Sequence, residues 1–179
     1  NKETGFFYGE ISGANIPDGN APIGLVLQSR ILWTFSAAYN HTQNKVYLNF
    51  AHTAYKQLIT QFYDKQYGGM FWSVQPNGIP VSTKKQAYGI AFAIYGLSAY
   101  YEATKDQAAL DKAAELYRCL EMHFYDSVYG GYIECLGNDF SVIEDVRLSD
   151  KDQNAIKSMN THLHVIEAYA KLYTVLPSQ

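Results

Sequence analysis

The chain has 179 residues and a formal charge of -3, from 14 Lys+Arg against 17 Asp+Glu. That weak acidity argues against nucleic acid, which demands a basic face. With 47% hydrophobic and only 17% charged residues, a disordered chain is excluded, and no apolar run approaches the roughly 18 residues of a membrane span.

In chain order, Asn1 to Glu10 lacks the basic and then apolar pattern of a secretory leader, so the cytoplasm is the expected compartment. A helix is predicted over about 24–42, apolar nearly all round and therefore buried on most sides. A second, from Val46 to Phe62, is one-sided, with Val46, Phe50, Ala54, Leu58 and Phe62 on its stripe. Then comes Phe62-Tyr63-Asp64-Lys65-Gln66-Tyr67-Gly68-Gly69, followed by a hairpin over Met70 to Val81 that turns on Pro76-Asn77-Gly78. The pattern repeats: an apolar helix over 84–104, a one-sided helix from Leu110 to Phe124, and Phe124-Tyr125-Asp126-Ser127-Val128-Tyr129-Gly130-Gly131 at an offset of 62. Gly137-Asn138-Asp139 is the expected turn of the last hairpin, and a fifth helix from about Asn154 to Val175 is a third copy of the buried type. Gly5-Phe6-Phe7-Tyr8 reads as the tail of an earlier copy.

Alternating buried and amphipathic helices, with a short hairpin after each pair, predict an all-α fold of the α/α toroid type. Its inner helices surround a cavity, and the hairpins share one rim with their N-terminal ends. Closed toroids need five to seven helix pairs, so residues 1–179 read as one domain, about half of a twelve-helix α/α barrel. Two apolar edges would then be left for self-association or for pairing with the rest of the ring.

Aligning the inner helices on Tyr39, Tyr101 and Tyr173 exposes unequal chemistry. Nine residues earlier stand Arg30, Phe92 and His164. A cation and an imidazole at matched positions of an apolar repeat each need a partner. Asn160, His164 and Glu167 share one face of the last helix, and Tyr88 is the second-helix equivalent of Asn160. Arg30, Tyr88, Asn160 and His164 are therefore expected to converge on the inner wall. His162 points away from His164, so the two should not chelate a metal. His41, His52 and His123 read as surface or capping residues, Asp64 and Asp126 as turn residues, and Cys119 and Cys135 as reduced structural thiols. No phosphate loop, HExxH or serine elbow is present.

Ser29 to Ser36, Lys84 to Ala93, and above all Lys157-Ser158-Met159-Asn160-Thr161-His162-Leu163-His164-Val165-Ile166-Glu167-Ala168-Tyr169 resemble the cellobiose 2-epimerases, within the N-acylglucosamine 2-epimerase superfamily. The resemblance runs over essentially the whole chain and implies the N-terminal half of a twelve-helix barrel. It implies inversion at C2 of the reducing-end sugar of a β-1,4-linked disaccharide through an enediolate, with no metal and no cofactor. By that resemblance Arg30 and His164 serve catalysis, Tyr88 and Asn160 hold the sugar, and Trp72 lines the rim. The acid and base histidines of the family belong to its second half, so these 179 residues alone are expected to be inactive. The alternatives are an aldose–ketose isomerase of the same superfamily acting on a monosaccharide, and a non-catalytic sugar-binding module.

Overall fold

The computed structural model describes residues 4–177; residues 1–3, within the stretch read above for a leader, and 178–179 lie outside it. After a small antiparallel pair, β1 (Glu10–Ile11) and β2 (Pro17–Asp18), the chain runs β3 (Ile23–Gly24), α1 (Leu25–Thr42) and α2 (Lys45–Gln57). Helix α2 passes into a π-helical turn, Leu58–Phe62. Strands β4 (Ser73–Val74), β5 (Pro80–Ser82) and β6 (Lys85–Gln86) lead into α3 (Ala87–Thr104) and α4 (Gln107–Cys119), which ends in a second π-helical turn, Leu120–Phe124. Strand β7 (Cys135–Leu136) and α5 (Met159–Val175) complete the order.

The repeat is physical down to its caps. α1 and α3 both end at a residue in the left-handed region, Gln43 (φ 56°) and Lys105 (φ 59°). Thr42 and Thr104 each bond back to a carbonyl four residues earlier and accept the N–H of Asn44 and of Asp106. Those two side chains in turn cap α2 and α4 by accepting from Val46 and Ala108, the usual N-cap bond. Sequence-adjacent helices are thus turned back on each other by the same few polar atoms in both units.

α3 sits between α1 and α5, with α4 packed on its other side. Ala87, Ile90, Ala91, Ala93, Ile94 and Leu97 on it are wholly buried, as an all-round apolar helix must be. Where α1 and α3 cross, Gly96 lets the backbones meet: a Cβ there would stand 2.8 Å from the Ser29 carbonyl oxygen. The core is Leu32, Leu58, Phe62, Leu97, Leu116, Leu120 and Phe124, each large side chain contributing about 1.5–3 kcal/mol through burial. Among the described residues, α5 has an inner neighbour, α3, on one side only. Ile166 is 65% exposed, whereas its repeat equivalent on α3, Ile94, is fully covered.

Two sequence expectations are corrected. α5 begins at Met159 rather than near Asn154, because Ser158 caps it by accepting from Thr161 N–H and Asn154 is engaged with Val146 and Glu144. The last hairpin has no return strand of its own. β7 pairs instead with β6 (Lys85↔Leu136, Gln86↔Cys135), as β4 pairs with β3 (Ile23↔Val74, Gly24↔Ser73). β4 and β7 are thereby stitched to the residues just before an inner helix, which carries the starts of α1 and α3 to one rim.

Candidate active site

The inner faces of α1, α3 and α5 bring Arg30, Phe92 and His164 into a row. The Arg30 guanidinium carbon lies 4.8 Å from the centre of the Phe92 ring, a cation–π distance. The His164 ring is 4.5 Å from Phe92. Tyr88, one turn before Phe92, stands 5.1 Å from it and meets His164 edge-on at 4.9 Å. His164 Nδ1 shares a 2.7 Å hydrogen bond with the Glu167 carboxylate, one turn along α5. With the proton on Nδ1, that bond holds the imidazole in one orientation and leaves Nε2 as an acceptor.

A cavity of about 380 Å³ opens on this row, lined by Arg30, Trp33, Thr34, Phe92, Tyr95 and Glu167. Glu167 therefore faces the interior of the arc rather than an outer helix. A second cavity, about 340 Å³, is lined by Glu134, Arg147, Asp152, Lys157 and Asn160 among others. Asn160 precedes His164 by one turn and is exposed toward that second space. Arg30, Tyr88 and His164 thus meet through Phe92, whereas Asn160, expected to converge with them, lines the second cavity one turn away on α5. A third cavity, about 450 Å³, lies against α1 beneath residues 5–11, lined by Phe7, Leu27, Ile31 and Phe50. It carries neither guanidinium nor imidazole, so the chemistry favours the first wall.

Trp72 sits at the rim with its ring against α3: a Cβ on Gly89 would meet it at 3.1 Å, one residue from Tyr88. His162 faces the other way, as its spacing predicts. Its Nδ1 is 2.6 Å from the Ser158 carbonyl oxygen, so Nδ1 carries the proton and Nε2 accepts from Tyr132 N–H at 2.9 Å. His52 shares a bond with the Tyr100 hydroxyl. His123 stacks on Phe140 at 3.9 Å, and that burial lowers its pKa. Cys119 and Cys135 are both free; burial pushes their thiols up to about 12 and about 11, which leaves them poor nucleophiles. Among the described residues, no three His, Cys, Asp or Glu side chains gather as a metal site, and no helix is long and apolar enough to cross a membrane.

Asp64 and Asp126 hold their turns. Each Oδ1 accepts two backbone N–H groups, from Gln66 and Tyr67 or from Val128 and Tyr129. Each also meets a lysine that stands just before an inner helix: Lys85 on Asp64 at 2.6 Å and Lys157 on Asp126 at 2.5 Å. Sequence reading passed over these lysines. The signal was available, since positions 85 and 157 coincide when the inner helices are aligned at the offset of 72 that relates Tyr101 to Tyr173. It also passed over Glu134 and gave Phe92 no role beside Arg30 and His164, although Phe92 is the ring that joins the cation to the imidazole.

The chain is similar to known proteins over nearly all of its length. Residues 5–175 match the family model described as N-acylglucosamine 2-epimerase (GlcNAc 2-epimerase). A cellobiose 2-epimerase of Bacteroides fragilis is 46% identical over 174 residues, covering 97% of this chain and 44% of the relative. The solved cellobiose 2-epimerase of Spirochaeta thermophila superposes with a TM-score of 0.90 at 42% identity, over 97% of this chain and 43% of that one. That of Bacillus thermoamylovorans gives a TM-score of 0.95 at 35% identity, over 100% and 46%. The chain spans less than half the length of these relatives.

Proposed function

The chain belongs to the N-acylglucosamine 2-epimerase family, and from that premise we propose that its inner wall forms one side of a sugar 2-epimerase site. The substrate is a β-1,4-linked disaccharide, inverted at C2 of its reducing-end sugar. The observation that carries the reading is the contact row of Arg30, Phe92, Tyr88 and His164 across three inner helices, with Arg30 and Phe92 lining the cavity, in a chain similar to a cellobiose 2-epimerase over 97% of its length.

Epimerisation at C2 requires the sugar to open to its aldehyde, lose the C2 proton, and regain a proton on the opposite face. Negative charge develops on O1 and O2 at the enediolate, and fixed donors aimed there lower the barrier. Arg30 is the donor for those oxygens: among the described residues no carboxylate pairs with its guanidinium, and the Phe92 face holds it in place. His164, oriented by Glu167, offers Nε2 to a sugar hydroxyl. Tyr88 and Asn160 supply further hydroxyl and amide contacts, and Trp72 closes the rim. The acid and base that move the C2 proton come from chain beyond these 179 residues, whose helices also cover Leu163, Ile166 and Tyr173 on α5. No metal or cofactor is required for this chemistry.

The test is solvent deuterium. A protein extended to the length of its relatives, incubated with cellobiose in D2O, is expected to yield the C2 epimer with deuterium at C2. Arg30→Ala and His164→Ala should each lower kcat/KM by at least about 100-fold, on the order of one lost oxyanion-hole donor. Turnover without C2 deuterium, or none with any disaccharide, would overturn the reading. Release of a ketose from mannose instead would favour the isomerase alternative.

A further inference from the structure

Glu134 belongs to no helix of the site, yet it is fastened to two of them. It is 4% exposed. Its carbonyl accepts the N–H of Ala87, the first residue of α3, at 3.0 Å, and its N–H donates to Ile156. Its carboxylate reaches the start of α5: Oε1 accepts the Ser158 N–H at 2.7 Å and Oε2 accepts the Thr161 hydroxyl at 2.6 Å. Ala87 precedes Tyr88, and Thr161 follows Asn160 and lies three residues before His164.

The internal repeat gives an independent reason to read this as a strut. The residue equivalent to Glu134, 62 positions earlier, is Trp72. The Trp72 carbonyl accepts the N–H of Leu25, the first residue of α1, at 2.9 Å. Its ring lies against Gly89 on the next inner helix. Gly89 and Thr161 are themselves equivalent at the inner-helix offset of 72. The same repeat position therefore ties its own inner helix by the backbone and the following one by the side chain. An indole on a glycine does this in one unit and a carboxylate on a hydroxyl in the next. A buried carboxylate is costly unless donors and a favourable field compensate it. Here two donors and the positive end of α5 do so.

We propose that Glu134 is a positioning residue, which sets Asn160 and His164 on α5 against Tyr88 on α3. The consequence for sugar rests on the epimerase reading; the geometric claim does not. The test uses the protein extended to the length of its relatives, isotopically labelled at Tyr and His, and nuclear Overhauser cross-peaks between the Tyr88 and His164 rings. Glu134→Ala is expected to abolish these while the remote Tyr55–Tyr100 pair, stacked at 4.4 Å, keeps its cross-peaks. Glu134→Gln should restore them, because an amide oxygen still accepts from Ser158 and the amide N–H donates to the Thr161 oxygen. Should Glu134→Ala not fold, Thr161→Val removes only the second tie and is expected to weaken the same cross-peaks by at least about half. Wild-type cross-peaks in Glu134→Ala or Thr161→Val, or a Glu134→Gln that behaves as the alanine variant, would overturn the proposal. If the wild type binds cellobiose, Glu134→Ala should raise Kd about tenfold, some 1.4 kcal/mol. If the wild type binds none, the epimerase reading suffers and the cross-peaks still decide the positioning role.

Discussion

The two Tyr-Gly-Gly turns carry the same aspartate–lysine pair in different surroundings. Lys85 and Asp64 are sealed, with side chains 0% and 4% exposed; Lys157 and Asp126 are 26% and 20% exposed. The seal comes from the next unit and from the turn itself. Asn138, with its amide turned to donate, bonds Asp64 Oδ2 at 3.0 Å and Thr83 O at 3.1 Å. Phe71 lies 4.5 Å from the Lys85 ammonium, and Phe140 packs over Gly69. Asp126 has the Gly130 carbonyl sharing its lysine instead. Identical local chemistry is therefore worth different amounts, because a pair removed from water cannot lose one partner cheaply whereas an open pair is rescued by solvent.

The largest expected effect breaks the sealed pair. Lys85→Ala should lower unfolding stability by about 3–5 kcal/mol, since it leaves a buried carboxylate uncompensated. Urea denaturation checks this, and Lys157→Ala should shift the midpoint far less. Equal shifts would erase the distinction between the turns.

A middle-sized effect separates glycines within the open turn. Gly131 has φ +78°, and a Cβ there would run into the His162 ring; Gly130 has φ +72° and open space around it. Gly131→Ala should cost about 1–3 kcal/mol, the range for overpacking. Gly130→Ala should cost about 1 kcal/mol, near the intrinsic penalty of a left-handed residue. Thermal unfolding of the two variants ranks them, and the reverse order would refute the assigned contact.

The smallest effect is a titration. The hydrogen bond from Lys157, with those from Tyr129 and Val128, holds the Asp126 carboxyl down to about 2. A carboxyl lowered in the folded state contributes stability above its unfolded value, near 4, and loses that contribution as pH falls toward 2. Carbonyl-carbon NMR of Asp126 should show the low midpoint, and Lys157→Met should move it upward. At Asp64 burial acts the other way, yet the Lys85 bond and the turn N–H groups outweigh it, and that carboxyl also lies below its usual range.

Much of the fold was legible because the repeat acts at short range. The helix pairs and the paired turns follow from residues a few positions apart and fall where the offset of 62 puts them; the Asn44 and Asp106 caps obey the same offset, although only the structure singled them out. The start of α5 was misjudged because apolar periodicity does not register that residues 141–158 are engaged in loop contacts of their own, such as Asn154 with Val146. The strand partner of β7 was missed for a related reason: the expected hairpin is a local pairing, whereas β6 lies 50 residues earlier, at Lys85–Gln86.

For the site, the sequence by itself determined which residues break the apolar pattern. Arg30, Tyr88, Asn160 and His164 stand out because a polar group on an inner helix needs a reason to be there. Only the tertiary structure decided how they are joined. Phe92 couples the cation to the imidazole, Glu167 orients that imidazole, and Glu134 binds the starts of α3 and α5. These links depend on the distance between helices that are far apart in the chain, and packing sets that distance. Composition and spacing state which groups are present, but the separation of three helix faces exists only after the core of α3 has closed around them.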